Sequence, residues 1–105
     1  MPGATEHGEL WEARVDKVRP VVIVSRDDLR GQRARTTVAH VTSHLRDAPT
    51  SVLVDHREGL LQLSAINCDE LQTIPKTALL RRIGRLSEAK IEALDHALRF
   101  AMQLR

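Results

Sequence analysis

Apolar and polar positions alternate over part of residues 9–15, the period of a half-buried strand. Val21-Val22-Ile23-Val24 follows, four β-branched residues in a row, which predicts a strand buried on both faces. Pro20 suits the start of that strand, where no ladder donor is needed. Residues 26–35 form a polar, Arg-rich stretch with Gly31 and read as a loop. Residues 36–43 predict a third strand and residues 45–50 a connector. Ser51-Val52-Leu53-Val54 predicts a fourth strand, ended by Asp55-His56-Arg57-Glu58-Gly59. Residues 61–66 alternate again and predict a fifth. Residues 71–80 mix Thr73-Ile74 with Pro75 and read as a short strand or a turn.

The period then changes. Ile91, Leu94, Leu98 and Met102 recur at helical spacing with Ala97 and Ala101 beside them, while Lys90, Asp95 and Arg99 fall off that stripe. Ser87 is a good N-cap, and Glu88 stands where the helix dipole favours an acid. An amphipathic helix is predicted over residues 87–103. Several short strands followed by one packed helix predict an α+β, mainly β domain: a small antiparallel barrel or curled sheet carrying a C-terminal helix.

With 105 residues, the chain is expected to be one domain over residues 1–105. No apolar run approaches the roughly 20 residues of a membrane span, and residues 1–8 lack the pattern of a signal peptide. Cys68 is the only cysteine, which excludes an internal disulfide and a zinc knuckle. The expected location is the cytoplasm. His40 and His44 stand four apart, but on a strand and its exit that spacing does not converge on one ion, and His7, His56 and His96 add no HExxH pattern, so neither a metal nor another cofactor is expected. The glycines are isolated, which excludes a phosphate loop, and no GxSxG elbow is present.

Charge modifies this picture only in its distribution. The formal net charge is +2, but Arg14, Lys17, Arg19, Arg26, Arg30, Arg33 and Arg35 crowd one stretch. Lys76, Arg81, Arg82 and Arg85 form a second group with no acid inside it. Thirteen of the sixteen bases are Arg, the residue best suited to a two-point grip on phosphate. Aromatic rings, by contrast, are limited to Trp11 and Phe100, so a platform for stacking bases is excluded. Two short elements put polar groups at the ends of rigid strands: Lys17-Val18-Arg19-Pro20, and His40-Val41-Thr42-Ser43-His44. A guanidinium and a hydroxyl so held could grip a phosphodiester.

The order of motifs resembles the MazF/PemK-type toxin endoribonucleases of type II toxin–antitoxin systems. The resemblance rests on Gly8-Glu9-Leu10-Trp11, on Lys17-Val18-Arg19-Pro20 running into Val21-Val22-Ile23-Val24-Ser25, and on Val38-Ala39-His40-Val41-Thr42-Ser43. It continues through Leu63-Ser64-Ala65-Ile66-Asn67-Cys68-Asp69, Thr73-Ile74-Pro75-Lys76 and Ile83-Gly84-Arg85-Leu86-Ser87. It implies an SH3-like barrel (MazF/CcdB-like) with a C-terminal helix, acting as a homodimer. It further implies an mRNA interferase that cuts single-stranded RNA at short motifs without a metal, and a MazE-like antitoxin that covers the RNA groove. The family's catalytic Arg falls on Arg19 and its catalytic Thr on Thr42. Lys17, Ser25, Ser43, His44, Ser64 and Asn67 become candidate RNA contacts. His40 lies on the face of Thr42 and becomes a candidate proton carrier. Two other readings share the barrel. A CcdB-like gyrase toxin would need a Trp-Gly-Ile tail, whereas this chain ends Met102-Gln103-Leu104-Arg105. A non-catalytic SH3-like RNA- or protein-binding module would grip phosphate without cutting.

Overall fold

The computed structural model describes residues 3–104. Six strands precede one helix: β1 (Glu9–Arg14), β2 (Val18–Ile23), β3 (Arg35–Thr42), β4 (Ser51–Val54), β5 (Ser64–Pro75), β6 (Leu79–Arg85) and α1 (Glu88–Met102). Single 3-10 turns, His56–Glu58 and Lys76–Ala78, flank β5. All strand pairs are antiparallel, in the order β4-β5-β3-β2-β1-β6, and the sheet curls into a half-barrel. Among the described residues no helix is long and apolar enough to cross a membrane.

Both faces of the sheet are buried, and strand alternation divides them. Leu10, Val22, Ala39, Val41 and Ile66 face α1 and pack with its Leu94, Ala97 and Leu98. Trp11, Ala13, Val21, Ile23, Val38, Ile74 and Leu79 form a second cluster on the other face. Val21, Val22 and Ile23 therefore contribute to both cores, as four β-branched residues in a row predict. The helix starts as expected, with the Ser87 hydroxyl accepting from the Lys90 N–H at 3.3 Å, and ends at Gln103 in the left-handed region. Met102 lies in the last turn and is half exposed, outside the stripe in which the periodicity put it.

Three strand boundaries differ from the sequence pattern. β2 starts at Val18, so Pro20 lies inside it; pairing to β3 begins at the next residue, Val21. The fifth strand begins at Ser64 rather than 61, leaving Leu61 fully exposed in the preceding loop. It then runs twelve residues to Pro75, and β6 follows where the pattern gave no strand. The reason is a detour. His40 pairs with Asn67 and Ala39 with Leu71, so Cys68, Asp69 and Glu70 have no partner on β3. Three extra residues reverse the alternation. Ile66 consequently packs under α1, whereas Ile74 joins the Trp11 cluster.

Gly84 of β6 lies against the loop after β4: a Cβ there would stand 2.3 Å from the Glu58 carbonyl oxygen. That contact seats the turn leading into residues 59–63. At the sheet edge, Lys90 donates to the Leu53 carbonyl of β4.

Candidate active site

The β1–β2 turn and the end of β3 lie at the same end of the sheet. Val15 N–H donates to the Lys17 carbonyl at 3.1 Å and closes the turn, and Pro20 fixes its own φ just beyond Arg19. Thr42 is the last residue of β3. Its hydroxyl accepts from the His44 N–H at 3.0 Å, the kind of side-chain turn that stops a strand. Val21 pairs with His40. Arg19 and Thr42 each stand two residues beyond that pair, toward the same end of the sheet.

Directly paired residues share a face. Arg19 pairs with Ala13 on its other side, so Arg19, His40 and Thr42 belong to the face of the Trp11 cluster. Asn67 pairs with His40 and Ala65 with Thr42, which brings Asn67 to that face as well. The Asn67 side chain is engaged in the detour: its Oδ1 accepts from the Asp69 N–H at 3.0 Å, and its Nδ2 donates to Glu70 at 3.4 Å. His40 meets the Gln72 amide oxygen through Nε2 at 2.9 Å and is half-buried.

Arg19 is not a bare cation. Asp16 accepts from its Nε at 2.7 Å and from its Nη2 at 3.0 Å. The guanidinium, helped by the Lys17 N–H, holds the Asp16 carboxyl well below the usual carboxylate range. Asp16 in turn raises Arg19, and the charge of Glu70 adds a smaller pull in the same direction. Motif reading does not single out Asp16, Glu70 or Gln72. Asp16 has one legible signal, its place three residues before Arg19, whereas Glu70 and Gln72 reach this face only through the detour.

The other candidates scatter. Lys17 is exposed in the β1–β2 turn, and Ser43 and His44 are exposed just after Thr42. Ser64 is buried at the start of β5, and its hydroxyl donates to the Gln62 carbonyl at 3.1 Å. Ser25 follows the opposite end of β2, where its Oγ accepts from the Thr37 N–H at 2.7 Å; the fold does not bring it to Arg19. Arg26, Arg30, Arg33 and Arg35 lie at that far end too, so the basic stretch is split between two ends of the sheet. The second basic group is paired throughout: Arg81 with Glu12, Arg82 with Glu9 at 3.1 Å, Arg85 with Glu6 at 3.1 Å, and Lys76 with Asp28. Its acids come from the start of the chain and from the loop after β2, which is why the segment alone looked uncompensated.

Cys68 is buried, and burial pushes its thiol up to about 11. His7 bridges Asp95 of α1 at 2.6 Å and the Val24 carbonyl at 3.1 Å. Among the described residues no group of three His, Cys, Asp or Glu side chains could hold a metal ion. A cavity of about 310 Å³ opens beside Arg19 and is walled by Val18, Pro20, Leu60, Leu61 and Ile83. Gln62, Ser64 and the Glu12–Arg81 pair supply its polar groups; Thr42, His40 and Asn67 lie outside it.

Residues 6–102 match the family of PemK-like, MazF-like toxins of type II toxin–antitoxin systems. Over 92 residues the chain is 41% identical to endoribonuclease MazF3 of Mycobacterium tuberculosis (strain ATCC 25618 / H37Rv), covering 88% of this chain and 89% of that one. The solved structure of Mycobacterium tuberculosis toxin MazF-mt6 superposes with a TM-score of 0.88 at 39% identity, over 92% of this chain and 98% of the other. A mycobacterial endoribonuclease in complex with its cognate antitoxin gives 0.86 over 96% and 97% of the two chains; at 22% identity this is a likeness of fold.

Proposed function

The chain belongs to the PemK-like, MazF-like toxins of type II toxin–antitoxin systems, and from that premise we propose that it is an endoribonuclease acting on single-stranded RNA. What supports the reading is that Arg19 and Thr42 each lie two residues beyond the Val21–His40 pair, on the face set by strand alternation and toward the same end of the sheet. In the proposed reaction the ribose 2′-oxygen attacks the adjacent phosphorus and the bond to the 5′-oxygen breaks. The products are a 2′,3′-cyclic phosphate and a 5′-hydroxyl. The 2′-hydroxyl loses a proton and the departing 5′-oxygen gains one.

Arg19 keeps its charge at any working pH and stabilises the negative charge that builds on the phosphoryl oxygens. It makes a poor base for the same reason. Thr42 orients the phosphate through its hydroxyl, and holding attack in line is itself a large part of the work. His40, on the same face, is the candidate proton carrier. Arg19 supplies the positive charge that a metal would otherwise bring, so the chemistry needs no metal. Lys17, Ser43 and His44, exposed near the two strand ends, are candidate RNA contacts; Asn67, whose amide is engaged in the detour, and the buried Ser64 complete the candidate set. The family assignment extends the reading to a homodimer neutralised by a cognate antitoxin and working in the cytoplasm, where RNA substrates are met.

Cleavage-site mapping on a long RNA in EDTA, with analysis of the new ends, tests this directly. Cuts at a short shared motif, leaving cyclic phosphate and 5′-hydroxyl ends, are expected. Intact RNA, 5′-phosphate ends or a requirement for added metal would overturn it.

A further inference from the structure

The β1–β2 turn does more than join two strands. Asp16 Oδ1 accepts from the Lys17 backbone N–H at 2.8 Å as well as from Arg19 Nε. Oδ2 takes the Arg19 Nη2 at 3.0 Å. Both carboxylate oxygens are thereby committed, and the backbone of the turn sets the plane in which the guanidinium lies. A guanidinium presents a fork of donors on more than one edge. Asp16 fills the edge made by Nε and Nη2. The edge made by Nη1 and Nη2 is left for another two-oxygen acceptor, and a phosphodiester offers such a pair.

We propose that Asp16 is a positioning residue for Arg19, bracing the guanidinium so that its open edge meets the scissile phosphate. This deepens the endoribonuclease reading and rests on it. The pair joins residues three apart in the chain, with side chains 38% and 66% exposed, so it contributes little to stability. A role in holding the fold together therefore does not account for it. Glu70, the other acid that Arg19 senses, forms no hydrogen bond to the guanidinium and lies on the detour of β5. The alternative, that Asp16 occupies the phosphate's place and must be displaced by RNA, conflicts with the edge it uses.

Steady-state and single-turnover cleavage of an RNA oligonucleotide by Asp16→Ala, Asp16→Asn, Asp16→Glu, Arg19→Ala and the Asp16→Ala/Arg19→Ala double variant tests the brace, with a thermal melt for each. Asp16→Ala is expected to lower kcat roughly 10–100-fold, the scale of losing support behind an active-site group, with KM within about twofold. Asp16→Asn, which keeps an acceptor but not the charge, falls between, and Asp16→Glu recovers part of the loss. In the Arg19→Ala background the same substitution adds nothing, because the group it braces is gone. An unchanged kcat in Asp16→Ala overturns the proposal. So does a fall in KM at constant kcat, which would make Asp16 a competitor of phosphate, and so does an additive loss in the double variant. If Arg19→Ala cuts RNA as fast as the wild type, the underlying reading fails, and the brace with it.

Discussion

Lys76 and Asp28, 48 residues apart in the chain, meet in an ion pair whose side chains are only 6% and 10% exposed. Asp28 also accepts from the backbone N–H groups of Gln32 and Arg33, and Lys76 donates to the Gly3 carbonyl at 2.6 Å. One lysine therefore ties the start of the chain and the β2–β3 loop to the end of β5. Lys76 beside it lowers the Asp28 carboxyl to about 2. An acid lowered in the folded state stabilises fully above its ordinary value, near 4, and loses that contribution as pH falls toward 2. The melting temperature is expected to fall through that window. The slope should be shallower in Lys76→Met, where Asp28 returns toward its ordinary value.

Removing either group of the candidate catalytic pair should cost activity and not structure. Arg19→Ala and Thr42→Ala are each expected to lower kcat about 10²–10³-fold, the usual loss for one charge-stabilising donor. Both side chains are partly exposed at strand ends, so circular dichroism and melting temperature should stay close to wild type. Arg19→Lys should recover only part of the rate, since an ammonium cannot offer two donors from one rigid plane.

Gly84→Ala tests the seat of the loop beside the cavity. An added methyl would stand 2.3 Å from the Glu58 carbonyl oxygen, so backbone must shift on one side or the other. A loss of about 1–3 kcal/mol in urea unfolding is expected, the range for forced overpacking. Leu61→Ser, in the same loop but fully exposed, should change stability by no more than about 0.5 kcal/mol.

The single thiol should be silent in the native protein. Cys68 is buried, and desolvation, with a smaller contribution from the charge of Asp69, pushes it up to about 11. A thiol-disulfide reagent at pH 8 is expected to label it only after unfolding in guanidinium chloride. Rapid labelling of the folded chain would contradict its placement beneath the helix.

Much of the architecture can be read before any coordinates. Val21, Val22 and Ile23 announce a strand with two covered faces, and Ser87 with Leu94 and Leu98 announces the helix, because each signal is local and strong. His40 and Thr42 share a face because strands alternate, and the sequence states that directly. The boundary of β5 was hidden for a physical reason: alternation is broken by Cys68, Asp69 and Glu70, so neither half shows a long enough period. The pairing of Arg81, Arg82 and Arg85 with Glu12, Glu9 and Glu6 was equally hidden, since it follows from β6 lying beside β1. At the candidate site, the motifs pointed to Arg19 and Thr42 but passed over Asp16, which matters only through the edge of the guanidinium it covers.

The stretch at 68–70, which has no partner on β3, also sets a rule about length. Faces repeat every two residues, so an odd number of extra residues hands the strand from one core to the other. Deleting or inserting a single residue there would turn over everything downstream to Pro75 and carry Ile74 out of the Trp11 cluster. Asp69 and Glu70 are exposed, and exposed irregular backbone ordinarily absorbs small insertions and deletions. Here length is bound by parity, and homologous chains should gain or lose residues at this point only in pairs.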